Sequence, residues 1–194
     1  MKSLVTLRKS FKDKGLLSHV LKGDSWEPWR VLLIAAMGEP LTEDERVIFK
    51  QLTNRDREPG TRVSELEIVA GRRGGKTRAL AALATYLAAL VDYKDVLIAG
   101  ERGVLLCLAQ DQRVATKILD FCEEDFNASP VLSNSSSAAR PTPSNCATIS
   151  TSRFVPHPSE SCAGQRTSRS SPMNSHFGTW TIFTRTLTSK LSLR

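Results

Sequence analysis

Carboxylates are nearly missing from the last third of this chain: residues 133–194 hold Glu160 and no other acid, against 7 Lys/Arg. The net charge of +7 is therefore uneven, because residues 1–132 carry 20 Lys/Arg and 19 Asp/Glu. A basic balance ordinarily points to a polyanionic partner, and here that inference attaches to the last segment alone. Cysteine is sparse and scattered: Cys107, Cys122, Cys146 and Cys162 show no CxxC spacing and no neighbouring histidine cluster. That pattern favours free thiols in a reducing compartment over a disulfide framework or a zinc site. His19, His157 and His176 are scattered and suggest no role. Long apolar runs are also lacking. VLLIAAM (Val31–Met37) falls far short of the roughly 20 residues that cross a bilayer. The N-terminal MKSLVTLRKSFKDKG is broken throughout by lysines and arginines, unlike a signal peptide. The expectation is a soluble, intracellular protein with no membrane partner, and 194 residues allow one domain with a core, or a smaller domain plus a tail.

Residues 1–22 are basic and weakly amphipathic. SWEPWRVLLIAAMGEPLTEDERVIFKQLTNR (Ser25–Arg55) reads as two helices. Pro28 suits a helix start, Gly38-Glu39-Pro40 breaks the pattern, and Thr42 with Glu45 forms a capping box for the second helix. Trp26 and Trp29 read as packing residues rather than a binding platform. After the turn REPGTR (Arg57–Arg62), ELEIVA (Glu65–Ala70) is a short β-prone run. KTRALAALATYLAALV (Lys76–Val91) has high helix propensity, with Leu80, Leu83, Leu87 and Leu90 on one face. GVLLCLA (Gly103–Ala109) is a buried-type strand, and Asp111 then caps a helix running through Ile118 and Phe121. Strand, loop, helix, strand, helix indicates an α/β fold with a parallel sheet and flanking helices. Three regions are expected: a helical lead-in (1–60), a partial α/β domain (61–132) and a tail (133–194). The tail holds 15 serines and 9 threonines, keeps no helical or strand period before Trp180, and reads as disordered.

VAGRRGGKTRAL (Val69–Leu80) joins the first strand to the long helix. The phosphate-loop pattern is G-x-x-x-x-G-K-[ST]; Gly75-Lys76-Thr77 match it, while Ala70 occupies the first glycine position and Gly71 follows. Glycines let main-chain N–H groups converge on a phosphate, and the helix beginning at Lys76 adds its positive end. Lys76 would neutralise β/γ-phosphate oxygens and Thr77 would ligate Mg²⁺. The residues assigned to nucleotide binding are thus Ala70, Gly71, Arg72, Arg73, Gly74, Gly75, Lys76 and Thr77. An arginine here, directed at the γ-phosphate, would stabilise transition-state charge in cis. The plainer alternatives are a basic glycine-rich turn capping a helix, and two solvated arginines.

AGRRGGKT (Ala70–Thr77), GDSWEPWRVLLIAAMGEPLTEDERVIFKQLTNR (Gly23–Arg55) and GERGVLLCLAQDQRVA (Gly100–Ala115) together resemble the N-terminal ATPase part of the tailed-phage terminase large subunit. The resemblance covers about residues 16–132. It implies an incomplete P-loop NTPase, with ATP and Mg²⁺ as ligands and viral double-stranded DNA, a portal protein and a small terminase subunit as partners. The setting it implies is the cytoplasm of a bacterial host, with the chain encoded by a phage or prophage. In the family an arginine stands four residues before the lysine, and Arg72 holds that position. Adenine contacts in the family come from upstream of the loop, where Gln51 is a candidate. The family's C-terminal metal-dependent nuclease has no counterpart within these residues.

Hydrolysis needs an acid at a strand end to organise Mg²⁺, and usually a glutamate to orient water. Asp111 ends VLLCLAQD but is followed by Gln112, and capping explains it better. The missing pair reappears when SSPMNSHFGTW (Ser170–Trp180) is read one base out of step. The last base of the Met173 codon and the first two of Asn174 force glutamate, and Pro172 into Met173 permits aspartate. The shifted text permits isoleucine-alanine-aspartate-glutamate-leucine-alanine-phenylalanine-tryptophan, an apolar strand ending in an acidic pair. With the composition break near Ser133, this implies a terminase ATPase fragment truncated by a frameshift and impaired in hydrolysis. The alternative function is a small nucleotide- or nucleic-acid-binding module whose basic tail contacts phosphates.

Overall fold

Local signals set the helices of the lead-in. The computed structural model describes residues 2–93, 95–97, 103–109 and 112–133, together with the backbone of segments at 140–141, 146–150 and 178–181. A short strand β1 (Lys2–Ser3) leads into α1 (Leu7–Lys12), whose first turn is capped by Thr6. A 3₁₀ turn (Asp24–Trp26) then feeds α2 (Glu27–Ala36), with Pro28 in its first turn where a missing N–H costs nothing. Helix α3 (Glu43–Thr53) closes its own N-terminus: the Thr42 hydroxyl accepts from Glu45 N–H, and the Glu45 carboxylate accepts from Thr42 N–H. Between them Gly38 (φ +74) is required, since a Cβ there would lie 2.4 Å from the Thr61 carbonyl carbon. The turn after α3 is thereby held against the end of α2, where Val63 N–H also donates to Ala36 O.

Strand β2 (Glu67–Ala70) delivers the chain to the glycine-rich loop, and α4 (Lys76–Ala89) leaves it. The leucine spacing of α4 implied one apolar face, yet every residue from Ala81 to Ala88 is buried, as is Ala79. Its alanines make this possible by letting neighbours approach from several sides; a helix apolar all round is a buried helix. It stops two residues before Val91 because Val91–Asp92 forms β3, paired antiparallel with Lys2–Ser3. Strand β4 (Val104–Leu108) and α5 (Gln112–Ala128) follow, with α5 packed along α4. Asp111, expected to cap α5, lies outside the described residues.

One core joins these parts. Leu7, Leu17 and Val20 of the lead-in, Val31 and Leu33 of α2, Tyr86 of α4 and Ile118 of α5 are among its fully buried members. The lead-in and the α4–α5 pair therefore share a single interior across the boundary expected at residue 60.

The described strand pairs are all antiparallel. Strand β5 (Arg140–Pro141) pairs with β6 (Cys146–Ser150), β6 with β4, and β7 (Gly178–Thr181) with β2. The parallel partnership expected for the strands before and after α4 has no pair among the described residues. The tail also holds strand segments where the sequence suggested no period before Trp180. CATIS (Cys146–Ser150) has the short Ala-Thr-Ile-Ser alternation and β-branched residues that suit a strand between β4 and β5.

Candidate functional site

The eight residues Ala70–Thr77 form one turn between the end of β2 and the start of α4. Arg73 (φ 61) and Gly75 (φ 78) are both left-handed. Left-handed residues in a turn can bring backbone N–H groups to one side. Gly75 is the N-cap of α4 and supplies no side chain. Among the described residues, the N–H groups of Gly75, Lys76, Thr77 and Arg78 find no acceptor; Ala79 is the first to bond back, to Gly75 O at 3.0 Å. These are the donors a helix start leaves open.

The contrast with α3 is informative. That helix spends three acids (Glu43, Asp44, Glu45) and a capping threonine on its first turn. Helix α4 has no acid in its first turn and carries Lys76 and Arg78 there. A glycine N-cap gives up only a few tenths of a kcal/mol relative to a capping side chain, and an uncompensated cation at the positive end of a helix costs roughly 0.3–1 kcal/mol. With Arg78 paired to Asp125, the start of α4 is locally less favourable than that of α3 by about 1 kcal/mol. An incoming anion would remove that penalty.

Lys76 Nζ folds back over the turn and donates to Ala70 O and Gly71 O, each at 2.6 Å, which closes the loop on itself. Arg72 and Arg73 are exposed and have no partner among the described residues. Thr77 is half-buried in the first turn, its hydroxyl likewise without a partner there. It is the one side-chain oxygen among Ala70–Thr77, and no group of three or more His, Cys, Asp or Glu among the described residues forms a metal cluster. The candidate acid Asp111 and most of Ser170–Trp180 lie outside the described residues. Gln51 is exposed on α3.

Two tryptophans missed as site residues stand over the loop. Trp29 Nε1 donates to Gly74 O at 2.9 Å. The Trp26 ring covers Gly75, with Cζ3 only 2.6 Å from where a Cβ would sit. Both indoles also pack on the core, as the sequence suggested, but nothing in the sequence placed the loop beneath them. Behind Trp29 a cavity of about 30 Å³ lies among Leu33, Ile68, Lys76, Leu80 and Leu83. It has room for about one water-sized group, so it is a packing gap rather than a base pocket. A larger groove, about 710 Å³, runs past Glu43, Arg46, Asp56 and Glu58. None of Ala70–Thr77 lines it.

Immediately after Thr77, Arg78 turns away from the loop into the α4–α5 seam. Its Nη2 lies 2.6 Å from Asp125 Oδ1, its Nη1 donates to Phe121 O, and its guanidinium stacks 5.1 Å from the Phe121 ring centre. Asp125 is fully buried, and neither carboxylate oxygen has an aligned hydrogen bond, so the Arg78 contact is one of charge rather than direction. Burial pushes the Asp125 carboxyl up to about 7, outweighing the pull of Arg78 in the other direction. His19 Nε2, 3.8 Å from Asp125, is shifted down, first by burial and then by Arg78. Cys122, one turn earlier, is a buried thiol pushed up to about 12 by the same desolvation.

Among the described residues no helix is long and apolar enough to cross a membrane. Comparison with protein-family models, curated proteins and solved structures finds no match to the chain.

Proposed function

We propose that Ala70–Thr77 binds the phosphates of a nucleotide, and that the chain is an ATPase fragment of the terminase large-subunit lineage, impaired in hydrolysis. The observation carrying this reading is the start of α4: four unaccepted N–H groups, with Lys76 beside them and no acid in the first turn. A surface turn gains nothing from that arrangement, whereas a bound polyphosphate satisfies the donors and the charge together. In this reading Lys76 leaves the Ala70 and Gly71 carbonyls for the β/γ-phosphate oxygens. Thr77 and the phosphates hold Mg²⁺, which supplies charge neutralisation at the transferring group. Arg72, exposed on the turn, is the cis arginine. The sequence resemblance supplies the packaging context, with DNA, portal and small subunit as partners. Turnover is expected to be slight, because the acidic pair that organises metal and water appears only in the shifted reading of Ser170–Trp180.

The test is equilibrium binding of MgATP to the full chain and to Lys76→Ala, followed by phosphate release. Saturable binding lost at least tenfold on substitution, with little turnover, is the expected result. Equal binding by the two chains would remove the loop reading. Robust Lys76-dependent turnover would leave the loop and remove the claim of impairment.

A further inference from the structure

The lead-in does more than share a core with the loop: it grips one peptide of it. Trp29 projects from the first turn of α2, and its indole N–H reaches 45 positions along the chain to the Gly74 carbonyl at 2.9 Å. The Gly74–Gly75 peptide is planar and trans, so its C=O and its N–H point in opposite directions. Holding the carbonyl from the indole side therefore fixes the Gly75 N–H on the far side, away from α2. That N–H is the first of the four without an acceptor.

Trp26 adds the second constraint. Its ring lies where a Cβ of residue 75 would be, so the backbone at Gly75 is pressed between the indole and α4. Gly75 holds its left-handed φ of 78 under that ring. Glycine alone explains how residue 75 can adopt this conformation, but glycine also permits many others. Gly71, Gly74 and Gly75 make the turn intrinsically loose, and an anion site made of loose amides spends part of its binding energy on ordering them.

We propose that Trp29, backed by Trp26, is a positioning residue for the phosphate loop: it selects the peptide orientation in which the Gly75–Arg78 amides converge before any anion arrives. The proposal rests on the nucleotide reading above. It assigns the tryptophans no contact with the nucleotide; they act through the Gly74–Gly75 peptide. Trp29→Phe keeps an aromatic ring, though a smaller one, and removes the donor. Loss of one neutral hydrogen bond of this kind is worth about a three- to tenfold change in an equilibrium.

The experiment measures MgATP affinity for the full chain, Trp29→Phe and Lys76→Ala, with thermal midpoints taken alongside. Affinity three- to tenfold weaker in Trp29→Phe at an unchanged midpoint supports positioning. A lowered midpoint with unchanged affinity overturns it, because the indole would then only pack. The loop reading itself is judged by Lys76→Ala: if the unsubstituted chain binds no MgATP, or binds it independently of Lys76, both ideas fall together. Should Trp29→Phe not fold, the indole N–H resonance of the unsubstituted chain decides, assigned with Trp26→Phe and Trp180→Phe. A Trp29 indole N–H protected from solvent exchange in the chain before MgATP is added, and equally so at saturation, supports the proposal. A Trp29 N–H that exchanges freely until MgATP binds overturns it.

Discussion

The Asp125 carboxyl offers a test of the seam between α4 and α5. Asp125→Asn keeps the shape and removes the charge. In the folded chain burial holds the carboxyl near 7, against an ordinary 3.8, with Arg78 on α4 pulling down and Glu124 beside it pushing up. A raised carboxyl contributes stability that is full below the unfolded value and is lost as pH rises through the folded one. The window therefore runs from about 4 to about 7, and a shift of about 3 units is worth roughly 4 kcal/mol across it. Between about pH 5 and pH 8 the share is roughly 2–3 kcal/mol, or on the order of 10 °C in thermal midpoint for a domain of this size. His19 runs the other way: its shift is downward, so its contribution is present above its ordinary 6.5 and lost as pH falls. Taking the difference between Asp125→Asn and the unsubstituted chain isolates the carboxyl. Urea unfolding at pH 5, 6, 7 and 8 is expected to show the variant gaining stability on the unsubstituted chain as pH rises. A constant difference, or one that falls, would mean that the Arg78 charge wins over burial and that the reasoning is wrong.

Three further outcomes are expected. Glu58 is held down to about 2, chiefly by the Arg46 guanidinium, with Leu41 N–H adding to it, so its contribution is present above 4.5 and lost as pH falls toward 2. Glu58→Gln should cost about 1–3 kcal/mol near neutrality and less in acid, read by urea unfolding. Gly75→Ala places a side chain at φ +78 under the Trp26 ring and should cost about 1–2 kcal/mol of stability. Its MgATP affinity should fall as well, and unchanged affinity would argue against a tight turn. Tyr86, fully buried, donates to Val5 O at 2.8 Å, so Tyr86→Phe should cost about 1–3 kcal/mol by leaving that carbonyl unsatisfied; no change would mean that water replaces the hydroxyl.

What the sequence revealed was local. The Thr42–Glu45 box sits three residues apart on one turn, and residue types alone specify it. The succession of β-prone run, glycine turn and alanine-rich helix around Lys76 is legible for the same reason. Contacts between distant segments were not. Trp29 and Gly74 are 45 positions apart, and an indole's donor carries no sequence mark of its acceptor. Asp125 was hidden in the acidic run EED, which reads as a solvated face. The spacing of Ala115, Ile118 and Cys122 places it on the buried side of α5, and that period was the available signal. Strand partners are likewise non-local: period identifies β2 and β4 as strands but does not say that β7 and β6 lie beside them.

The central claim is that main-chain amides at the start of α4 wrap a polyphosphate. Backbone amide resonances of Gly75, Lys76, Thr77 and Arg78, followed while MgATP is titrated into the full chain, test it most directly. The expected result is large, saturable shifts confined to these four and their loop neighbours, abolished in Lys76→Ala. Amides that stay in place while MgATP reaches millimolar concentration, or shifts centred elsewhere in the chain, would contradict it.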